Sequence, residues 1–119
     1  MQITLPWPPS VNRYWRHPNK GPLAGRHLIS VEGRQYRSQV TALAINRKME
    51  CMSGRLAIHI DAWPPDKRAR DLDNLLKSTL DALVHAGVIA GDELIDDLRI
   101  VRKESEKPGH LIVTITILE

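Results

Sequence analysis

Acidic and basic residues are concentrated in one short stretch of the sequence, residues 67–77. Asp71 and Asp73 follow a basic run there, Lys77 lies one helical turn after Asp73, and Asp92 begins a second acidic group further on. Closely spaced carboxylates repel each other, so such a cluster either raises a carboxyl pKa or binds a cation. Mg²⁺ prefers hard oxygen ligands and keeps several waters, so a few aspartates are enough to bind it.

These residue types are suited to the hydrolysis of a phosphodiester. A carboxylate-bound Mg²⁺ activates the attacking water and stabilises the charge that develops in the transition state. Lys77 could offset the repulsion between the carboxylates, or hold the phosphate or the attacking water. A simpler interpretation remains open, in which Asp71 caps a helix, Asp73 favours the helix dipole and Asp73 pairs with Lys77 on the surface.

Two helices are predicted, and the second of them must position the aspartates. Over residues 71–86, apolar residues recur at helical spacing and Gly87 occupies the position of a C-cap glycine. The first helix is predicted from Ser30, its N-cap, to about residue 49. Its expected buried stripe consists of Val31, Tyr36, Val40, Leu43 and Ala44.

Alternating apolar and polar residues predict four strands, at residues 3–5, 56–63, 98–103 and 111–117. The residues between the last two strands predict a turn that would make them a hairpin. The element order is β-α-β-α-β-β, which indicates an α+β fold whose mixed or antiparallel sheet is covered by two main helices. The 119 residues fit a single domain, 1–119.

Composition narrows the function classes. The net charge of +3 and the pI near 9.3 suit a polyanionic partner, and no acidic residue precedes Glu32. The basic segment 7–29 is therefore either a solvated loop or an arm that contacts phosphate. One cysteine and scattered histidines make a zinc site improbable. No apolar run reaches the ~20 residues of a membrane span, so we expect no membrane association and a cytoplasmic protein.

Four segments of the chain resemble RusA-type crossover-junction endodeoxyribonucleases, which are Holliday-junction resolvases. The central segment is Arg70-Asp71-Leu72-Asp73-Asn74, followed by Lys77 and Asp81-Ala82-Leu83. The others are residues 5–14, residues 30–37, and Ala86-Gly87 followed by Asp92 and Asp97. The resemblance covers nearly the whole chain in order and with little change in spacing.

The resemblance implies a RusA-like homodimer that binds four-way junction DNA and nicks two strands symmetrically, in DNA recombination and repair. It implies Mg²⁺ as the cofactor, with Mn²⁺ as a substitute, no small-molecule cofactor, and a phage or prophage context. The catalytic residues that it implies are Asp71, Asp73, Lys77 and Asp92, of which the three aspartates bind the metal. The resemblance implies that Arg68 and Arg70 contact phosphate. With Arg13, Arg16 and Lys67 from the basic segments, they form the predicted set of DNA-binding residues.

Two positions depart from the expected family pattern. Ala69 stands where a basic residue is expected, which predicts a weaker grip on phosphate. Gly91 precedes Asp92 where an acid is expected, so Glu93, Asp96 and Asp97 remain alternatives for the third metal ligand. Two other functions also remain open: a non-catalytic protein that binds branched DNA, and a nuclease for flaps, single strands or RNA.

Overall fold

The computed structural model describes residues 1–26 and 28–118. Four strands form one sheet and two longer helices cover one of its faces, which confirms the predicted α+β class with a mixed sheet. In chain order the elements are β1 (Gln2–Pro6), α1 (Val11–Tyr14), β2 (Trp15–Arg16), β3 (Leu28–Ile29), α2 (Val31–Asn46), β4 (Leu56–Trp63), a 3-10 helix (Leu72–Leu75), α3 (Leu76–His85), a second 3-10 helix (Asp92–Leu94), β5 (Ile95–Arg102) and β6 (His110–Ile117).

The strand order of the main sheet is β1-β6-β4-β5. The predicted hairpin of the last two strands is wrong, because β6 pairs antiparallel with β1 and β4 while β5 pairs parallel with β4. Side-chain character explains the placement. β6 buries alternate residues from Leu111 to Ile115, which suits the sheet interior, whereas β5 is mostly exposed and half of its residues are charged, as an edge strand tolerates.

The hydrophobic core lies between the sheet and the helices. Alternate residues of the central strands point to this side, so that β4 and β6 bury matching rows. Those rows are Leu56, Ile58, Ile60 and Ala62 in β4, and Leu111, Val113 and Ile115 in β6. From the helices they meet Tyr36, Val40 and Leu83. This packing holds the central strands in place, and the candidate site follows the carboxyl ends of β4 and β5.

Helix α2 begins as predicted, because the Ser30 hydroxyl accepts a hydrogen bond from the backbone N–H of Gly33 at 3.0 Å. Gly33 is also a point of close approach: a Cβ there would lie 2.6 Å from the carbonyl oxygen of Tyr14. The predicted stripe is wrong at Val31, which is 58% exposed because it lies in the first turn, outside the face that meets the sheet.

The second predicted helix does not start as a regular α-helix. Asp71 has extended dihedral angles, residues 72–75 form a 3-10 turn, and α3 then runs to His85.

The acidic connection after α3 is shorter than predicted, since Asp96 and Asp97 already belong to β5. In the segment expected to be loop, β2 and β3 pair antiparallel. Within residues 1–26 and 28–118, none of the helices combines the length and apolar composition that a membrane span requires.

Candidate active site

The candidate site lies at the edge of the sheet where two parallel strands end. β4 and β5 run in the same direction, so the segments that follow them start side by side. Two backbone hydrogen bonds join these segments: Lys103 donates to the carbonyl of Ala62 at 2.8 Å, and Glu106 donates to that of Pro64 at 2.7 Å. Residues 64–71 are therefore held against the loop that follows β5, and Asp71 is the last of them.

The basic loop before Asp71 is organised around Asp66. The Asp66 carboxylate accepts from the Arg70 guanidinium at 2.8 Å and from the backbone N–H of Arg68 at 3.0 Å. These hydrogen bonds, chiefly the one from Arg70, lower the pKa of Asp66 to about 2. The carboxylate thus stays charged under ordinary conditions and pairs with both arginines, closely with Arg70 and at 3.2 Å with Arg68, whose side chain is 83% exposed.

A second arginine supports the same loop from β5. The Arg102 guanidinium donates to the backbone carbonyl of Arg70, the residue directly before Asp71. On the other side of the loop, Arg70 lies over the indole of Trp7, with its central carbon 5.8 Å from the ring centroid, a cation–π contact. The position of Asp71 is therefore determined by contacts from β5 and from the segments that follow β1 and β4.

Asp71 and Asp73 themselves are exposed at the start of the 3-10 turn. Their side chains make no hydrogen bond or ion pair within the described part of the chain, and Asp71 does not cap the turn with its carboxylate. The predicted surface pair of Asp73 with Lys77 is not formed. Lys77 is exposed on α3 and its Nζ lies 5.5 Å from the centroid of the Trp15 ring.

Asp81 behaves differently, although it follows Asp73 on the same polar stripe. Its carboxylate accepts from the Tyr14 hydroxyl and from the Arg37 guanidinium, whose Nη2 lies 2.6 Å away. Burial acts to raise the pKa of Asp81, but these hydrogen bonds outweigh it and the pKa is lowered. The three side chains connect α1, α2 and α3.

The second acidic group is divided between two roles. Asp96 pairs with Arg55, whose Nε donates to Oδ2 at 2.6 Å, so this carboxylate is neutralised. Asp97 follows it on β5, next to Ala57 of β4, on the sheet face away from the helices. Asp92 is exposed and its side chain has no partner among the described residues.

Within residues 1–26 and 28–118, no three acidic, histidine or cysteine side chains come close enough together to hold a metal ion. The chain thus does not gather Asp71, Asp73 and Asp92 into a three-ligand cage. The donor chemistry nevertheless fits Mg²⁺, because this ion is commonly held by one or two carboxylates plus water and substrate phosphate. Exposed carboxylates without cationic partners are suitable ligands of that kind.

Two clefts adjoin the site and share the wall formed by Trp7 and residues 68–71. The first, of about 570 Å³, contains Lys67 and extends to Arg102 and Lys103. The second, of about 660 Å³, extends to Arg13. Four of the five predicted DNA-binding residues, Arg13, Lys67, Arg68 and Arg70, therefore line one continuous surface. Arg16 is exposed on β2 and, in the described part of the chain, lines neither cleft.

The sequence-based prediction missed Arg102 and Lys103. Both follow from the parallel pairing of β4 with β5, since the carboxyl ends of parallel strands meet at one edge, where ligands commonly bind. The signal was present in the β4–helix–β5 order, which is typical of a parallel crossover unit. The predicted hairpin concealed it.

A carboxylate pair beside a basic cleft, on a small α+β fold, is typical of a nuclease domain. Comparison with known proteins agrees. The family model described as Endodeoxyribonuclease RusA matches residues 6–116. The crossover junction endodeoxyribonuclease of Enterobacteria phage HK97 is 41% identical over 119 residues, covering 99% of this chain and 95% of the relative.

Bacterial relatives are equally similar. The crossover junction endodeoxyribonuclease RusA of Shigella sonnei is 45% identical over 115 residues, covering 96% of this chain and 92% of its own length. The protein of that name from Escherichia coli K12 is 44% identical over the same shares. The chain belongs to the RusA family of endodeoxyribonucleases, which confirms the resemblance inferred from its motifs.

Proposed function

We propose that this chain is a crossover junction endodeoxyribonuclease that resolves four-way DNA junctions by paired symmetric nicks. The observation that carries the proposal is the pair of exposed carboxylates without ionic partners, Asp71 and Asp73, of which Asp71 lines the basic cleft. The proposal is supported by the relatives, which are named as crossover junction endodeoxyribonucleases and match almost the full chain.

The proposed metal ligands are Asp71, Asp73 and Asp92, with Mg²⁺ as the ion and Mn²⁺ as a substitute. The described chain does not cluster all three, so joint ligation would require the ion to draw them together. When bound, such an ion activates water as a nucleophile and stabilises the charge that develops on the phosphate. Lys77 holds the phosphate or the attacking water from the first turn of α3. Trp15, which packs against the lysine, restricts where its ammonium group can point.

The basic residues divide into two roles. Arg68, which is 83% exposed, and Lys67 contact the DNA backbone, together with Arg13 and Arg16. Both Arg68 and Arg70 pair with Asp66, but the Arg70 side chain is only 24% exposed, so its main contribution is to hold the loop in shape. Ala69 adds no charge between them. Release of counterions from the phosphates makes this binding strongly salt-dependent.

The active form is proposed to be a homodimer of single 1–119 domains, acting in the cytoplasm in DNA recombination and repair. A two-fold symmetric dimer presents two equivalent cutting sites to a junction that has two equivalent strands to cut. The HK97 relative supports a phage or prophage context.

Strand nicking of an end-labelled synthetic four-way junction tests the proposal directly. A linear duplex, a flap and a single strand of the same sequence serve as controls, each with Mg²⁺ and with EDTA. Symmetric nicks on the junction alone, lost in EDTA, are expected. Tight junction binding without nicks in Mg²⁺ or Mn²⁺ would support a non-catalytic binder, and preferred cutting of the flap or single strand would support the third hypothesis.

A further inference from the structure

The cleft of about 570 Å³ beside Asp71 has a composition that phosphate binding alone does not require. One part of its wall is mainly cationic, with Arg68, Arg102 and Lys103, and also includes Glu104. The other part is aromatic and aliphatic, with the half-buried indole of Trp7 and the side chain of Leu72. Its volume lies within the roughly 300–1,000 Å³ of typical small-ligand sites.

A surface that only follows the DNA backbone needs cations and hydrogen-bond donors. An indole surrounded by aliphatic carbon, with guanidinium groups at its rim, is suited to a flat, partly apolar, anionic ligand. A nucleotide has these properties, because its base packs on aromatic rings while its phosphate pairs with arginine. The cleft also includes Asp71, so a nucleotide there would be next to the proposed cutting site.

The walls of this cleft are fixed before any ligand arrives. Asp66 holds Arg70 against Trp7, and Arg102 is bonded to the carbonyl of Arg70. Lys103 is attached to the end of β4 through the carbonyl of Ala62. A preorganised pocket loses little conformational freedom on binding, which favours selective uptake of one residue of the substrate.

We propose that this cleft takes up one unstacked nucleotide of the bound DNA, next to the scissile phosphate, with its base against Trp7. The inference rests on the proposed function and deepens it, because a base held in a shaped pocket gives the enzyme a basis for choosing where to cut. Bases at a branch point lose a stacking neighbour more easily than bases inside a duplex, and a lower cost of unstacking favours capture.

The test combines substitutions in the protein and in the DNA. A four-way junction is prepared with a single abasic residue, placed in turn at each nucleotide flanking the cleavage point. Binding of wild type and Trp7→Leu is measured in EDTA, so that no cutting intervenes. Removing the captured base is expected to weaken wild-type binding by about 5- to 150-fold, the range for loss of one base–aromatic contact.

In Trp7→Leu, the same abasic residue is expected to have little further effect, because the contact is already lost. Such non-additivity at one nucleotide position is the expected result. Equal abasic effects in both proteins at every position would overturn the proposal. Trp63→Leu is the matched control: this tryptophan stacks on His110 and does not line the cleft, so its abasic effects should equal those of wild type.

A second pair of variants covers the case in which Trp7→Leu fails to fold. Arg102→Ala removes an exposed side chain of the cleft, and Arg99→Ala removes an exposed arginine of the same strand outside it. Coupling to the same abasic position is expected for Arg102 alone; coupling for neither or for both would overturn the proposal. Because the readout is binding, the result stays distinct from failure of the proposed nuclease activity, which the cutting assay reports.

Discussion

Two aspartates on the same polar stripe have opposite environments. Asp81 lies in a three-way contact with Tyr14 and Arg37, where its side chain and that of Arg37 are each 22% exposed. Asp73, two helical turns earlier, is exposed and has no partner within the described chain. Both side chains are carboxylates, but within the described chain only that of Asp81 has a cationic partner.

The difference indicates what each region contributes. A partly buried carboxylate with several donors stabilises the arrangement of helices around it, and removing one partner leaves an unpaired charge. A carboxylate without a cationic partner contributes little to stability and stays available for a metal ion or substrate.

Asp73→Asn is expected to lower the rate of junction cutting by roughly 100-fold or more, the scale of losing a group that acts in the transition state. Binding to the junction should be equal or tighter, because an anion facing phosphate is removed. The measurements are single-turnover nicking in Mg²⁺ and binding in EDTA. A variant that still cuts at the wild-type rate would show that the site is assigned wrongly.

Asp81→Asn is expected to lower the free energy of unfolding by about 1–3 kcal/mol, because Arg37 loses its charged acceptor. Urea denaturation measures the change. The double variant Arg37→Met, Asp81→Leu should cost less than the sum of the single changes, since no unpaired charge remains. A folded Asp81→Asn protein that no longer cuts DNA would instead show that Asp81 takes part in catalysis. Asp81 and Asp73 would then not differ in role.

The tyrosines provide a pH test of the same region. Burial, and then the hydrogen bond to Asp81, raises the pKa of Tyr14 to about 12, and burial raises the pKa of Tyr36 as well. The unfolded chain ionises its tyrosines near pH 10, so the stability from Tyr14 is full below about pH 10 and is lost as the pH rises towards 12. Tyrosinate absorbance should be absent from the folded protein at pH 10 and present in urea.

The smallest effect is expected for an exposed pair. Arg55→Gln breaks the ion pair between Arg55 and Asp96. The two side chains are 51% and 45% exposed, respectively. Exposed pairs contribute little because water and salt screen them. The midpoint of thermal unfolding should therefore remain unchanged within error at physiological salt. A clear destabilisation would mean that the exposed carboxylate of Asp96 contributes to stability as the partly buried carboxylate of Asp81 does.

The sequence predicted the elements better than their arrangement. Apolar spacing located β4, β6 and the second helix within a few residues, because burial on one face imposes a regular period. Pairing depends on contacts distant in sequence, so the insertion of β6 between β1 and β4 could not be read from local pattern. The position of Arg102 beside Asp71 was missed for that reason.

For the candidate site, too, the sequence predicted local features but not the contacts between distant residues. Residue types and spacing identified Asp71 and Asp73 as candidates, but not which neighbouring acids the fold would neutralise. Asp81 and Asp96 become paired only when Arg37 and Arg55 arrive from other elements. Local sequence also gave no indication that a 3-10 turn, rather than a regular helix, presents the two aspartates.

The central place of β6 has a consequence for how the protein is made. β6 lies between β1 and β4 in the sheet, and among the described strands it is the last to leave the ribosome. Until residues 110–117 emerge, β1 has no partner in the main sheet and β4 is open along the edge opposite β5. Folding is therefore completed after synthesis of these residues, and any truncated product that lacks them is an open-edged species prone to aggregation.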